Sequence, residues 1–372
     1  MSDSLPLDPA SCRNRQQRLT RWMGEQGIDL VIVVTPQNVQ WLTGQWCKWV
    51  FQSAAAITSD GKVTLALPDT VPPSALADQL VSYEAQWHST LRNDQVAASS
   101  PLLVDALDLQ EQVTLGVEFS TFPQHLLEKL SPRLHGNLVD VEPELYRLRR
   151  KKEADELARI QVAIGATEKM YERAREIIRP GIGELEVFNQ LQSAAVEHCG
   201  EMLTGTGNDY QCNSPGGPPR EGIVAAAGEL YILDLGPAYR GYFADNCRTI
   251  AVTESSSLQQ DAWSRIMDVF QLVEETVRPG ASAADLFRQA EQLLGQAAVG
   301  SFTHHLGHGI GLFPHEAPHL NPFWDDCFEQ GDVFTAEPGL YDPQLAAGMR
   351  IENNYLVTAE GVEKLTNFSM EL

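Results

Sequence analysis

The chain has 372 residues and a formal net charge of −23; 43% of its residues are hydrophobic and 21% charged. Those proportions belong to a globular protein with enough chain for one large domain or two ordinary ones. So acidic a balance argues against nucleic acid or an anionic membrane as partner, and no segment is apolar enough to span a bilayer.

The N-terminus MSDSLPLDPASCRNRQQ contains no secretory hydrophobic run, which points to the cytoplasm. Cys12, Cys47, Cys199, Cys212, Cys247 and Cys327 show no CxxC pairing and read as free thiols. Residues 13–27 have the pattern of an amphipathic helix, and DLVIVV (29–34) that of a strand. Asp60-Gly61 between apolar runs predicts a hairpin. VTLGVEFS (113–120) predicts a further strand and TFPQHLLEKL (121–130) a helix. Residues 1–145 therefore read as a small α/β domain. YRLRRKKEADELARI (146–160) then leads into a long helix stopping at Arg179-Pro180-Gly181, and a second domain is expected over 146–372.

That second domain contains a repeat. RPGIGELEVFNQL (179–191) and RPGASAADLFRQA (278–290) align at an offset of 99 residues, matching Phe188 with Phe287 and Gln190 with Gln289. Two halves of like design would deliver equivalent groups to a shared centre. Each half ends in a hairpin with two carboxylates. In DLGPAYRGYFAD (234–245), a turn around Tyr239-Arg240 sets Asp234 opposite Asp245 and Gly236 opposite Phe243. DVFTAEPGLY holds Glu337, and MRIENNYLVT holds Glu352. Like charges facing each other destabilise a strand pair, and burial raises the cost unless a cation lies between them.

Five of the nine histidines crowd into HHLGHGIGLFPHEAPH: His304, His305, His308, His315 and His319. The glycines at 307, 309 and 311 leave room for backbone or ligand to come close. Neutral imidazole is a common nitrogen ligand for divalent metals. Four carboxylates and one imidazole make an oxygen-rich set that favours manganese, iron, cobalt or zinc over copper, with manganese first.

The order Asp, Asp, His, Glu, Glu resembles the pita-bread family of methionine aminopeptidase, aminopeptidase P and prolidase. GIDLVIVVTPQNVQWLTG resembles the creatinase-type N-terminal domain, and DLGPAYRGYFADNCRT, GHGIGLFPHE, TAEPGLY and RIENN resemble the catalytic domain in order and spacing. The resemblance implies an α/β (α+β) fold, with a creatinase-like domain over 1–145 and a pseudo-twofold pita-bread domain over 146–372. It implies two divalent metal ions. Asp234 would bind one, His308 and Glu337 the other, and Asp245 and Glu352 would bridge them.

By the same resemblance Glu337 would shuttle the proton, His315 would stabilise the oxyanion and His304 would contact substrate. Arg350 would orient Glu352 or Asp245, or bind substrate. His305 and His319 are expected to be structural or exposed. The implied activity is that of an Xaa-Pro aminopeptidase or prolidase, in which a metal-bridging hydroxide attacks the bond before proline in a short peptide. A homodimer is implied, with Trp41, Trp46 and Trp49 as candidate pocket or interface aromatics.

One departure stands out. Peptidases of the family carry a substrate-binding histidine 17 or 18 residues before the first metal-binding Asp; here those positions are Gly217 and Gly216. Asn213 or Tyr210 would take over its bond, or the glycines would open the pocket to the small C–N substrate of a non-peptidase hydrolase. A catalytically inactive binding protein is the third reading, and the complete ligand set speaks against it.

Overall fold

A computed structural model describes residues 8–47, 50–109, 111–136 and 138–372. The chain forms two compact units that meet in sequence between Arg149 and Arg150. In the N-terminal unit the first helix runs Pro9–Gln26, earlier than the apolar spacing predicts. Asp8 sets that start: its carboxylate accepts from the backbone N–H of Ala10 and Ser11, and Pro9 stands in the first turn. Gly27, at φ 65°, closes it.

Strand Leu30–Val33 pairs antiparallel with Ala54–Thr58 and parallel with Leu115–Val117, at the middle of a six-stranded mixed sheet. Asp60-Gly61 turns the hairpin between Ala54–Thr58 and Val63–Pro68. The strand expected over 113–120 is only Leu115–Val117, because buried Glu118 turns to cap the next layer. Its Oε2 accepts from Thr35 N–H at 3.0 Å, and its Oε1 from the Asn38 amide at 2.6 Å. Trp41 is fully buried in helix Pro36–Thr43, so it is core and not a pocket or interface aromatic. Trp46 is half-buried, and Trp49 lies outside the described residues.

The charged lead-in forms two helices, Glu142–Arg150 and Ala154–Ile177. The break holds a capping box in which Glu153 and Glu156 satisfy each other's backbone N–H.

The repeat exists in three dimensions. Helices Ala154–Ile177 and Ser257–Thr276 stop just before the two Pro-Gly pairs, and helices Glu184–Cys199 and Ala283–Leu294 follow. Gly181 and Gly280 adopt φ of 91° and 88°, and their N–H groups donate 2.8 Å bonds to Ala225 and Phe328 carbonyls. Gly183 bridges to Val224 just as Ser282 bridges to Cys327. Each helix pair backs a sheet. One sheet has the order Asn246–Ala251, Leu230–Leu235, Asp209–Cys212. The other runs Glu316–Leu320, Gly307–Gly309, Val333–Ala336, Asn353–Val357, Val362–Lys364. Gly307 and Gly309 serve this packing: a Cβ on either would lie 2.1 Å from a carbonyl oxygen, of Thr335 and Ala317 respectively. The two sheets are stitched by Glu352 N–H to Cys247 O at 2.9 Å and by Thr249 Oγ1 to Arg350 O at 2.9 Å.

The first hairpin differs from its expected register. Tyr239 pairs with Tyr242 and Ala238 with Phe243, and Asp234 pairs with Cys247, not with Asp245. The turn is the two-residue pair Arg240-Gly241, with φ of 48° and 85°. Positive φ at both central residues gives the turn whose twist suits a tight hairpin, and glycine accepts it readily. The shift is two residues, so Asp234 and Asp245 remain on one face.

Glu184, fully buried at the start of its helix, ties down both ends of the loop 212–220. It accepts from the N–H of Cys212 at 3.0 Å and of Arg220 at 2.8 Å, and it pairs with the Arg220 guanidinium at 2.6 Å. Burial pushes its pKa up, but the Arg220 bonds outweigh this and hold it below the ordinary value. Glu184→Ala should cost about 3 kcal/mol in urea unfolding at neutral pH. The folded pKa lies below the unfolded one, so this stability is present above the unfolded value and is lost as pH falls through the folded one. The gap between the two proteins should therefore close on acidification; a gap independent of pH would contradict the assignment.

Candidate metal centre

The strand ends converge on a cavity of about 420 Å³ within the C-terminal unit. Asp234 comes from strand Leu230–Leu235, and Asp245 immediately precedes Asn246–Ala251. His308 is the middle residue of Gly307–Gly309. Glu337 follows Val333–Ala336, and Glu352 precedes Asn353–Val357. Pairing of Ala336 with Asn353 and of Gly339 with Arg350 keeps one register across the gap, which sets Glu337 opposite Glu352. All five expected ligands line the cavity, as do His304, His315 and Arg350.

Ligand atoms of Asp245, His308 and Glu352 lie within 4.8 Å of one another, and so do those of Asp234, Glu337 and Glu352. His308 Nε2 is 3.7 Å from Asp245 Oδ2 and 3.6 Å from Glu337 Oε1. Its Nδ1 lies 3.1 Å from the Gly309 carbonyl. Donation there leaves the Nε2 lone pair facing the carboxylates. Burial drives the His308 pKa down to about 3, so the ring is a neutral donor. His315 stacks on it, with ring centres 3.7 Å apart.

Burial raises the pKa of Asp234, and it raises those of Asp245 and Glu352 far more, with the neighbouring carboxylates adding to the effect. Glu337 is the exception. Burial works against its charge, but the bond from His305 and the surrounding imidazoles bring it down to about 2.

Glu352 is 1% exposed, and neither of its carboxylate oxygens has a hydrogen-bond partner among the described residues. A buried acceptor pair with no donor is costly, and a cation is the partner that carboxylates in this number accept. The donor set of carboxylate oxygens and imidazole nitrogen suits a divalent metal.

Arg350 contacts neither Glu352 nor Asp245, the two partners expected for orientation. Its Nη2 donates to Asp234 Oδ2 at 2.7 Å and also to Asp209 Oδ2. Its Nη1 donates to the Tyr341 hydroxyl at 2.8 Å. Asp209 is the residue paired directly across the strands from Asp234. A guanidinium therefore sits between the two facing aspartates. The sequence reading missed Asp209 and Tyr341. The alternation of Asp209 with Tyr210 along one strand was the available signal, but nothing marked that strand as a neighbour of Leu230–Leu235.

His305, expected to be structural or exposed, instead lines the cavity with its Nε2 2.8 Å from Glu337 Oε1. His319 stays outside it, bonded to Asp326 at 2.8 Å and stacked on Trp324. Neither Asn213 nor Tyr210 takes the place of the missing histidine. Asn213 is exposed, and the Tyr210 hydroxyl accepts from Gln192 behind the sheet. Asn208, Asp209 and Pro215 form that wall.

Residues 158–359 match the model of metallopeptidase family M24, and residues 15–151 match the creatinase/prolidase N-terminal domain. The chain belongs to family M24 and has the two-domain arrangement with a pita-bread catalytic domain. It is 28% identical over 359 residues to an uncharacterized peptidase of Staphylococcus aureus, covering 93% of this chain and 97% of that one. An X-Pro aminopeptidase from Thermotoga maritima superposes with a TM-score of 0.80 at 21% identity, over 96% of this chain and 99% of the other. An Xaa-Pro dipeptidase from Bacillus anthracis gives 0.79 at 24% identity, over 97% and 99%. No helix among the described residues is long and apolar enough to cross a membrane.

Glu352→Gln should have opposite effects with and without metal. In chelator, the variant should gain about 1–3 kcal/mol in urea unfolding at pH 8, because an unpartnered buried carboxylate is removed. A folded pKa above the unfolded one makes this cost grow as pH rises toward the folded value. With saturating divalent metal, the order of stabilities should reverse.

Proposed function

We propose that the chain is a dinuclear metal-dependent peptidase of the Xaa-Pro aminopeptidase or prolidase type, releasing the residue before proline from short peptides. The proposal includes a homodimer in the cytoplasm; six free cysteines suit that compartment. One observation carries the metal reading. Five carboxylates (Asp209, Asp234, Asp245, Glu337 and Glu352) line one cavity with a single guanidinium, Arg350. With all five ionised, four negative charges would remain, which two divalent cations would balance. The similar folds of the T. maritima X-Pro aminopeptidase and the B. anthracis Xaa-Pro dipeptidase support the substrate class.

Asp234, Asp245, His308, Glu337 and Glu352 would hold the two ions, manganese, cobalt, zinc or iron. Such a pair supplies a nucleophilic water at neutral pH and polarises a carbonyl. Glu337, held ionised by the imidazoles around it, would help hold an ion and would serve as the proton acceptor and shuttle. His315, stacked on His308 at the cavity wall, would stabilise the oxyanion. His304 would contact substrate from a ring braced by its Nε2 at 2.9 Å from the Tyr341 hydroxyl. Arg350 fixes Asp234 through one nitrogen and Tyr341 through the other.

A second reading, a hydrolase of a small C–N substrate, is favoured by the wall of Asn208, Asp209 and Pro215, which offers no imidazole for a peptide. The test is hydrolysis of Xaa-Pro dipeptides and longer Xaa-Pro peptides by protein with manganese, then with chelator. Chelator-sensitive release of the first residue is expected, and Asp245→Ala should lower turnover at least about 100-fold together with metal content. Metal-loaded protein that cleaves none of these peptides would favour the second reading.

A further inference from the structure

We propose that His305 is an additional protein ligand of the ion held by His308 and Glu337, so that this ion has two imidazoles. The inference rests on reading the cavity as a dinuclear site and extends its ligand set by one residue.

Three observations converge on His305. First, its Nε2 lies 2.8 Å from Glu337 Oε1, the same oxygen that His308 Nε2 faces at 3.6 Å. Two atoms bound to one ion at 2.0–2.2 Å lie at most about 4.4 Å apart, and both separations satisfy that limit. Second, the neighbouring His304, although its Nδ1 lies 3.9 Å from Glu337 Oε2, has both ring nitrogens in other hydrogen bonds. Its Nδ1 lies 2.7 Å from the His305 carbonyl and its Nε2 2.9 Å from Tyr341 Oη. His305 therefore presents the nitrogen that points at the carboxylate. Third, the backbone fixes this aim. Glu337 N–H donates to Leu306 O at 2.8 Å, so the segment carrying His305 runs alongside Glu337. The His305 and His308 rings stand 5.4 Å apart at 68°, so they approach the oxygen from different directions.

A second imidazole changes the metal preference. Carboxylate and water suit manganese, whereas imidazole suits zinc and iron. The ion beside His308 should therefore favour zinc or iron over manganese more strongly than four carboxylates and one imidazole would.

The experiment is cobalt substitution of the full chain, read by absorption and by metal stoichiometry. His305→Cys should bind two equivalents of cobalt and gain a near-ultraviolet thiolate-to-cobalt band absent from the unsubstituted protein. His319→Cys, on a ring bonded to Asp326 and away from the cavity, should gain none. Two bound cobalts without the band would overturn the inference and leave the dinuclear reading intact. If His305→Cys fails to fold, X-ray absorption of the unsubstituted cobalt protein against His305→Gln decides: imidazole scattering should fall in the variant, and unchanged scattering would overturn the inference. His305→Gln should also lower zinc affinity about 10-fold or more relative to manganese. Unsubstituted protein that binds fewer than two cobalts would instead sink the dinuclear reading.

Discussion

The catalytic unit is organised around unbalanced negative charge. Asp234, Asp245, Glu337 and Glu352 converge in one buried place, and Asp209 joins them across the strands. Folding such a group is expensive unless each charge is neutralised, hydrogen-bonded or paired. The protein uses all three devices. Protonation is favoured at Asp245 and Glu352, whose pKa values are driven far up. His305 and the other imidazoles hold Glu337 ionised. Arg350 is shared between Asp209 and Asp234. Glu352 is left with no hydrogen-bond partner among the described residues, and that is the sense in which the fold is built for cations it must acquire.

The doubled architecture explains how five such groups arrive together. Each half ends a helix at Pro-Gly, starts another, and backs a sheet from which an antiparallel hairpin projects. The sheets then join through Glu352 N–H to Cys247 O and Arg350 O to Thr249. Those bonds place the end of one hairpin beside the other. The halves have diverged in register, however. Glu337 and Glu352 face each other directly, whereas Asp234 faces Cys247 and meets Asp245 diagonally. One half thus gives a facing carboxylate pair and the other a staggered one.

What the sequence made legible follows from the range of each signal. Pro-Gly stops, the Asp60-Gly61 turn and the 99-residue repeat are local patterns, and each has its counterpart in the structure. The residues that converge on the cavity were legible as types, because buried carboxylates near a glycine-spaced histidine run have few uses. Register was not legible. Arg240-Gly241 as the turn pair depends on positive φ at a non-glycine residue, which composition does not announce. Asp209 was invisible for a different reason. Its importance comes from Arg350, more than 100 positions away, and no spacing rule reaches that far. Nothing local separated His305 from His319 in the same histidine run, and only the fold turns His305 into the cavity.

The missing histidine and the presence of Asp209 are one feature. Gly216 and Gly217 adopt φ of 146° and 127°, and a Cβ on Gly216 would lie 2.3 Å from Asp209 Oδ2. Gly217 N–H donates to Asp209 Oδ1 at 2.7 Å, and the Pro215 carbonyl accepts from Arg350. The glycine loop therefore closes over Asp209, Asp209 holds Arg350, and Arg350 holds Asp234. A histidine cannot be placed at Gly216 without pushing Asp209 away and loosening the guanidinium from a proposed metal ligand. In this chain the wall that would handle substrate and the clamp that steadies the centre are built from the same residues. A change in this wall must pass through the geometry of Asp234.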